Sequence, residues 1–397
     1  MPDLRQTLAR INTPPFFHGL TLLFAVAALV LNLTASWKTY RLAPLREAAS
    51  RSLLASGSSF FYDSGLTEPL PAAALKLAMA AGADPDTAVR VEGLAVFAAL
   101  FFVTLFVLWR RYGEQTALMA ALFLAANPFM GSYAMQGSGH LYALLFLLLF
   151  WHFFTVPSPD RRSALLAGLC GALACLSRLD SAWVLLVIAG LTWSLQRKDF
   201  PLKSAGLALG LALLLTMPYT VYQKAKYNSF FYAQELSLRR WANVDRYGYR
   251  PAAEVPKGPL SPAAFVFRDG PAGALRAAFD GLGRSFAYEL PRTLYYRFLL
   301  VLVFLGAYAA FTLRKYGLPV LLAAALVPAL TFASIKQVPA SGGIELRYYL
   351  FAVWTLCALA GLGFQETLAW FGKNLQSWVI EKEAAAKARG EKNKNGN

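Results

Sequence analysis

The chain contains window after window of about 20 residues with almost no charge, the length a helix needs to cross the hydrocarbon core of a bilayer. Residues 16–37 read FFHGLTLLFAVAALVLNLTASW, and comparable runs recur as far as residue 370. Within lipid only helices and closed barrels satisfy every backbone hydrogen bond. The runs here are continuous, not alternating, and rich in Leu and Ala, which argues for helices over strands. Composition agrees, with 57% hydrophobic and 15% charged residues against roughly 25% charged in a soluble domain. The expected fold class is therefore an all-α polytopic membrane protein. The first run is too long for the core of a signal peptide and lacks a small-residue cleavage site, so it reads as a retained anchor.

The remaining composition excludes several classes. Cys170, Cys175 and Cys357 all fall in apolar runs, with neither disulfide nor metal spacing, and are expected to pack as small apolar side chains. The three histidines are scattered, and no Walker loop, dinucleotide glycine pattern or metal cluster occurs. Neither a metal nor a nucleotide cofactor is expected. The net charge of +16 would suit nucleic acid, but the basic residues bracket the apolar runs. Arg5 and Arg10, Arg110 and Arg111, Arg161 and Arg162, Arg197 and Lys198, and Arg314 and Lys315 are placed as in positive-inside loops.

About ten spans follow, near 17–37, 90–109, 116–134, 140–156, 163–177, 181–195, 204–222, 297–313, 318–335 and 348–370. With residues 1–16 in the cytosol, every basic pair lies on that side. So does the polar, Lys-rich tail 371–397, read as a short helix followed by a disordered end. The membrane domain is then 17–370, with two large outer segments, 38–89 and 223–296. The second is rich in Arg and Lys, and segments that long are largely exempt from the positive-inside rule. In the first, PLPAAALKLAMAAG opens with helix-starting prolines, closes at Gly82 and is too short to span. In the second, Leu275, Phe279, Leu282 and Phe286 share a helical face, while Arg276, Asp280 and Arg284 cluster on another. Both read as interfacial helices. Gly206 and Gly210 read as a close-packing pair in the seventh span, and the sequon at Asn32 lies inside the first span, out of reach of glycosylation.

Four stretches, in order, resemble the GT-C superfamily of polytopic glycosyltransferases, which includes the protein-mannosyltransferase and arabinofuranosyltransferase families. SRSLLASGSSFFYDSGLTEPLPAAALKL is similar to the first outer loop of those proteins. RRYGEQTALMAALFLAANPFMGSYAMQGSGHLYALLFLLLF resembles their third and fourth spans. GALACLSRLDSAWVLL resembles an L-x-R-x-(D/E) turn. MPYTVYQKAKYNSFFYAQE and ELRYYLFAVWTLCALAGLG resemble stretches near the later spans. Together they cover most of residues 40–365. Family members usually carry an Asp about ten residues ahead of the R-x-L-L at Arg51 to Leu54. Here that place reads YRLAPLRE, and Glu47 is the acid nearest to it.

The resemblance implies a polyprenyl-phosphate sugar as donor, a glycan, lipid or protein as acceptor, and a site on the periplasmic face of a bacterial inner membrane. Membrane lipids are the other expected partners, and nucleic acid is not. Transfer needs a carboxylate to take the acceptor proton and fixed positive charge at the departing phosphate. Glu47, Glu68 and Asp63 are the candidate bases, in that order. The plainer readings are an ion pair with Arg46 or Arg51 for Glu47, a helix N-terminal charge for Glu68 and a turn residue for Asp63. Arg347, beside Glu345 and Tyr348, is the first candidate for phosphate, and its plainer role is snorkelling to headgroups. Arg178 with Asp180 forms a compact pair that reads equally as an internal ion pair. Lys224, Lys226 and His140 complete the candidate binding set, the lysines doubling as interfacial anchors. Two other functions compete: a catalytically silent scaffold of the same fold that binds lipid-linked glycans, and a lipid or glycan transporter. The transporter reading lacks a visible acid chain or inverted repeat.

Overall fold

A computed structural model describes residues 14–42, 60–64, 68–137, 139–156, 160–195, 200–247, 258, 260–327 and 344–394. Among these residues every regular element is helical. The helices are α1 (Pro14–Tyr40), α2 (Pro69–Ala80), α3 (Pro85–Tyr112), α4 (Glu114–Ala126), α5 (Pro128–Met135), α6 (Gly139–Phe154), α7 (Arg161–Ser177) and α8 (Ser181–Leu195). There follow α9 (Leu202–Tyr227), α10 (Tyr232–Tyr247), α11 (Pro262–Val266), α12 (Gly270–Arg284), α13 (Leu290–Leu294), α14 (Leu299–Thr312), α15 (Gly317–Ala325) and α16 (Leu350–Lys394). A π-turn (Ser285–Glu289) joins α12 to α13, and a 3-10 turn (Ile344–Tyr349) leads into α16.

Helices occupy the described parts of all ten expected spans. Four are long and apolar enough to cross a membrane alone: 17–40, 85–112, 202–227 and 346–372. Two bent pairs bring the number to six, and α6 and α8 are shorter apolar helices. The third expected span is not one rod. It breaks at Asn127–Pro128, where α4 and α5 meet at 59°, because proline cannot continue the hydrogen-bond ladder. The freed polar groups are satisfied internally. Asn32 of α1 donates to the carbonyls of Ala125 (2.7 Å) and Asn127 (2.8 Å), and Asn127 donates to that of Thr293 (2.9 Å). Asn32 is thus a structural residue of the bundle. The last helix passes residue 370 without a break and runs to Lys394, where a separate short tail helix was expected.

Small residues set the closest crossings. A methyl group on Gly306 of α14 would overlap the Leu359 carbonyl oxygen of α16, and one on Gly363 would overlap that of Leu302. Such close backbone approach is the usual device where lipid supplies no hydrophobic drive between helices. Between α7 and α9 the small residue sits on α7: a Cβ at Gly168 would stand 2.8 Å from the Ala208 carbonyl oxygen. Gly206 and Gly210 have nothing within 4 Å, which corrects the expectation that they pack closely. Their side of α9 is open, as are Leu213 and Leu214 beside them. Large apolar residues stay exposed along other helices too, among them Leu31, Phe102, Phe304 and Tyr308. Rows like these on helices of span length are surfaces made for acyl chains. The three cysteines are buried and unpaired by disulfides.

The bundle has two chemically distinct ends. At one, Arg111 stacks on Trp151 at 4.3 Å and donates to the His152 carbonyl at 2.6 Å, closing the C-terminus of α6. Lys315 approaches Tyr112 at 5.9 Å, and His18 meets Glu114 at 3.2 Å. The opposite end gathers the C-termini of α1, α7 and α9 and the N-termini of α3 and α6. Arg90 is buried there and donates to the Tyr40 carbonyl. The candidate site lies at this second end.

Candidate functional site

Glu68 is the residue before α2, in extended conformation, with Pro69 as the first helical residue. Its carboxylate does not cap its own helix. It reaches instead to the α7–α8 turn, where Oε1 accepts from the Leu179 backbone N–H at 3.2 Å. That turn is the SRLDS segment. Arg178 ends α7 in extended conformation, and Ser181 opens α8 after two turn residues. The Arg178 guanidinium grips Asp180 with both arms, Nε to Oδ1 at 3.1 Å and Nη2 to Oδ2 at 2.9 Å. Such a fork-on-fork contact fixes orientation as well as charge. The side chains keep only 18% and 20% of their exposure, so the pair is largely removed from water.

Two further elements close on this turn. A Cβ on Gly139, the first residue of α6, would lie 3.1 Å from the Ser177 carbonyl and 3.6 Å from Pro71 Cγ. Gly139 thus lets α6 seat against α2 and the turn, and it sets His140 beside Tyr348, edge to face at 4.8 Å. Tyr348 is buried among Leu238 and Phe265 of the α10–α11 layer. The Arg178 guanidinium stands 5.5 Å from its ring, within the range of a cation–π contact. Arg347, half-buried on the 3-10 turn, stands 5.3 Å from the same ring.

The electrostatics follow from this crowding. Glu68 retains some surface, but its carboxyl group is deep enough that burial dominates and raises its pKa above the ordinary carboxylate value. Arg178 opposes that shift and Asp180 reinforces it. Burial works against the charge of Arg178, but Asp180, Glu68 and Tyr348 outweigh it, and its pKa is raised well above normal. Arg178 is a permanent cation placed between two carboxylates.

Asp63 is set apart from this group. It forms an ion pair with Lys226 at the end of α9, while Lys76 of α2 donates to the carbonyls of Phe60 (3.0 Å) and Asp63 (3.3 Å). Residues 60–64 are thereby pinned across α2 and α9. The Tyr62 ring lies against Tyr219 (6.0 Å) and Tyr222 (6.4 Å). Lys224 turns back on Asn228, donating to its backbone and side-chain oxygens at 2.9 and 2.8 Å.

Of the expected site residues, the structure brings together Glu68, Arg178, Asp180, His140, Tyr348 and Arg347. Asp63 and Lys226 form a separate pair beside them, and Lys224 faces away. Glu47 lies outside the described residues, and so does the side chain of Glu345. Sequence reasoning missed Lys76, Tyr62, Tyr219 and the Glu92–Tyr142 contact, in which the hydroxyl of Tyr142 on α6 donates to Glu92 of α3 at 2.6 Å. A signal existed for one of them, because Lys76 is the lone charge in an otherwise apolar helix. Among the described residues no group of three or more His, Cys, Asp or Glu side chains is arranged to hold a metal.

Residues 63–222, which carry most of these groups, match the family model of dolichyl-phosphate-mannose-protein mannosyltransferase. Over that region the chain is similar to the mannosyltransferases of the GT-C superfamily. No curated protein matches the sequence. Among solved structures, the crystal structure of ArnT from Cupriavidus metallidurans bound to undecaprenyl phosphate is similar at 15% identity, with a TM-score of 0.44. The alignment covers 87% of this chain and 78% of ArnT. The apo form of ArnT from the same organism gives 17% identity and a TM-score of 0.40 over the same shares.

Proposed function

We propose that this protein is a GT-C glycosyltransferase that transfers a sugar from a polyprenyl-phosphate carrier to a glycan, lipid or protein acceptor. The reaction takes place at the outer face of a bacterial inner membrane, with all ten expected helices crossing the bilayer and the second end of the bundle facing the periplasm. The observation that carries the reading is the enclosed constellation of Glu68, Arg178, Asp180 and Tyr348, with Arg347 against the same tyrosine ring. Chemically, it pairs a carboxylate of raised proton affinity with fixed guanidinium charge at one mouth of a lipid-facing bundle. Proton abstraction from an acceptor hydroxyl is assigned to Glu68, since an ideal base has a pKa brought toward the working pH. Glu47 takes the same role in the alternative arrangement. Arg178, already neutralised by Asp180, orients Glu68. Arg347 is assigned to the departing phosphate, where a planar guanidinium stabilises developing charge. His140 supports Tyr348. Asp63 and Lys226 line the rim, where aromatic rings and a charged pair suit a sugar acceptor, and Lys224, turned back on Asn228, is left as an interfacial anchor.

The scaffold and transporter readings predict that no carboxylate matters to sugar turnover. Membranes containing Glu68→Gln, Glu47→Gln or Asp63→Asn variants, supplied with radiolabelled polyprenyl-phosphate sugars, decide the matter. Loss of at least a hundredfold in turnover is expected for the base, in line with general-base catalysis. Unchanged turnover in all three variants would remove the enzyme reading, and accumulation of labelled lipid inside sealed vesicles would favour transport.

A further inference from the structure

Arg347 is the cation assigned to the phosphate, and the 3-10 turn that carries it is held from two sides. Successive residues of a 3-10 helix point about 120° apart, so the tandem Tyr348 and Tyr349 face different walls. Tyr348 enters the Leu238–Phe265 cluster and meets His140 and Arg178. Tyr349 turns toward the π-turn, and its hydroxyl lies 2.6 Å from Ser285 Oγ. Both partners are buried, Ser285 to 1% and Tyr349 to 5% exposure. Glu289, at the other end of the π-turn, is 6% exposed, and with Arg284 it lies in electrostatic reach of the same hydroxyl.

This arrangement is hard to explain as a device for stability. Burying a serine, a glutamate and a tyrosine hydroxyl together gains little net free energy even when all are hydrogen-bonded. The π-turn itself adds a residue to the helix, which is uncommon and recurs at functional sites. One extra residue rotates everything downstream by about 100°. The insertion lets α12 keep Leu275 and Phe279 exposed while α13 buries Leu290, Thr293 and Leu294. Ser285 and Glu289 lie at the switch between those two faces, against the residue two positions after Arg347.

We propose that Ser285, backed by Glu289, is a positioning residue: its hydrogen bond to Tyr349 fixes the 3-10 turn so that Arg347 meets the phosphate of a lipid-linked ligand. The proposal rests on the reading of Arg347 above. It separates the site into two independently held parts. The carboxylate part hangs on the α7–α8 turn, and the phosphate part hangs on the π-turn.

The test uses the full-length protein in nanodiscs, titrated with undecaprenyl phosphate and, in parallel, with undecaprenol, which lacks the phosphate. Binding is read by native mass spectrometry. Ser285→Ala and Tyr349→Phe should each weaken phosphate binding about threefold to tenfold, the value of one hydrogen bond, and leave undecaprenol binding unchanged. The double variant should be no weaker than either single one, because the two changes remove the same bond. Ser285→Thr, which keeps the hydroxyl, should restore wild-type affinity. If the wild type does not prefer the phosphate over the alcohol, the assignment of Arg347 itself fails. If the wild type does prefer it and Ser285→Ala, Tyr349→Phe and their combination bind it equally well, the assignment stands and the positioning proposal is overturned. Equal weakening toward both lipids, unrescued by Ser285→Thr, also overturns it, since that is the mark of general disruption.

Discussion

Removing the Arg178 guanidinium should be far more damaging than removing its carboxylate partner, and the two losses should not add. Arg178 and Asp180 retain 18% and 20% of their side-chain exposure, so they behave as a largely buried pair. Breaking such a pair from one side costs roughly 3–5 kcal/mol, most of it from the charge left behind. Arg178→Gln leaves two carboxylates, Asp180 and Glu68, with no cation between them, and belongs at the upper end of that range. Asp180→Asn leaves Arg178 with Glu68 as counter-charge and with the Tyr348 ring 5.5 Å away, and should cost about 1–2 kcal/mol. In the double variant the charge that each single change leaves behind is removed together with its partner. Its cost should therefore fall about 2 kcal/mol short of the sum of the single variants. Reversible unfolding in mixed micelles, followed by circular dichroism across a denaturing-detergent titration, measures all three. Additivity within about 0.5 kcal/mol, or a cost below about 1 kcal/mol for Arg178→Gln, as expected of an exposed pair, would refute the account of the site as an enclosed charge cluster.

The raised pKa of Glu68 makes opposite demands on stability and on activity. Because the folded protein favours the protonated carboxyl, its contribution to stability is full below the unfolded pKa and is lost as pH rises through the raised folded value. A base must be ionised, so turnover should rise with pH through that same raised value. The acid limb of a pH–rate profile for sugar transfer should lie above the ordinary carboxylate range and disappear from the residual activity of Glu68→Gln. At the α14–α16 crossing, Gly306→Ala and Gly363→Ala should each destabilise by about 1–3 kcal/mol. Gly206→Ala, with open space around it, should be neutral or stabilising by up to about 1 kcal/mol; thermal unfolding in detergent separates the two outcomes.

Much of this was legible in the sequence because the bilayer restricts the choices. Charge-free runs fix where helices lie, and the basic pairs at 110–111 and 314–315 fall at the end away from the site because the chain alternates direction at each helix. The pairing of Arg178 with Asp180 was readable from two charges two residues apart in an apolar turn. Partners across the bundle were not readable, since they depend on which helix faces which. The ion pair between Asp63 and Lys226 links positions 163 residues apart, and the hydrogen bond from Leu179 to Glu68 links positions 111 apart. The glycine expectation failed for the same reason. Gly206 and Gly210 have the spacing of a packing motif, but spacing within one helix does not say whether another helix lies on that face. The π-turn has no periodic signature at all, because one inserted residue leaves the local composition unchanged.

The charge balance of the cluster constrains how a phosphate can be handled. Arg178 is held by Asp180 through both nitrogen arms and is flanked by Glu68, so the trio carries no surplus positive charge when both acids are ionised. A phosphate approaching Arg178 directly would meet two carboxylates, and like charges at close range in a low-dielectric site repel strongly. On the proposed reading, the cation that receives a leaving phosphate is therefore another one. Arg347 is placed for that task, standing 5.3 Å from the Tyr348 ring that also contacts Arg178 at 5.5 Å. A carboxylate-bound guanidinium and a second guanidinium thus both stand against one aromatic ring. On the proposed reading the acceptor side of the sugar faces Glu68 and its phosphate side faces Arg347, which is the order that displacement at an anomeric carbon requires. The buried Tyr348 ring stands within cation–π range of both guanidiniums and so gives each a partner other than a carboxylate.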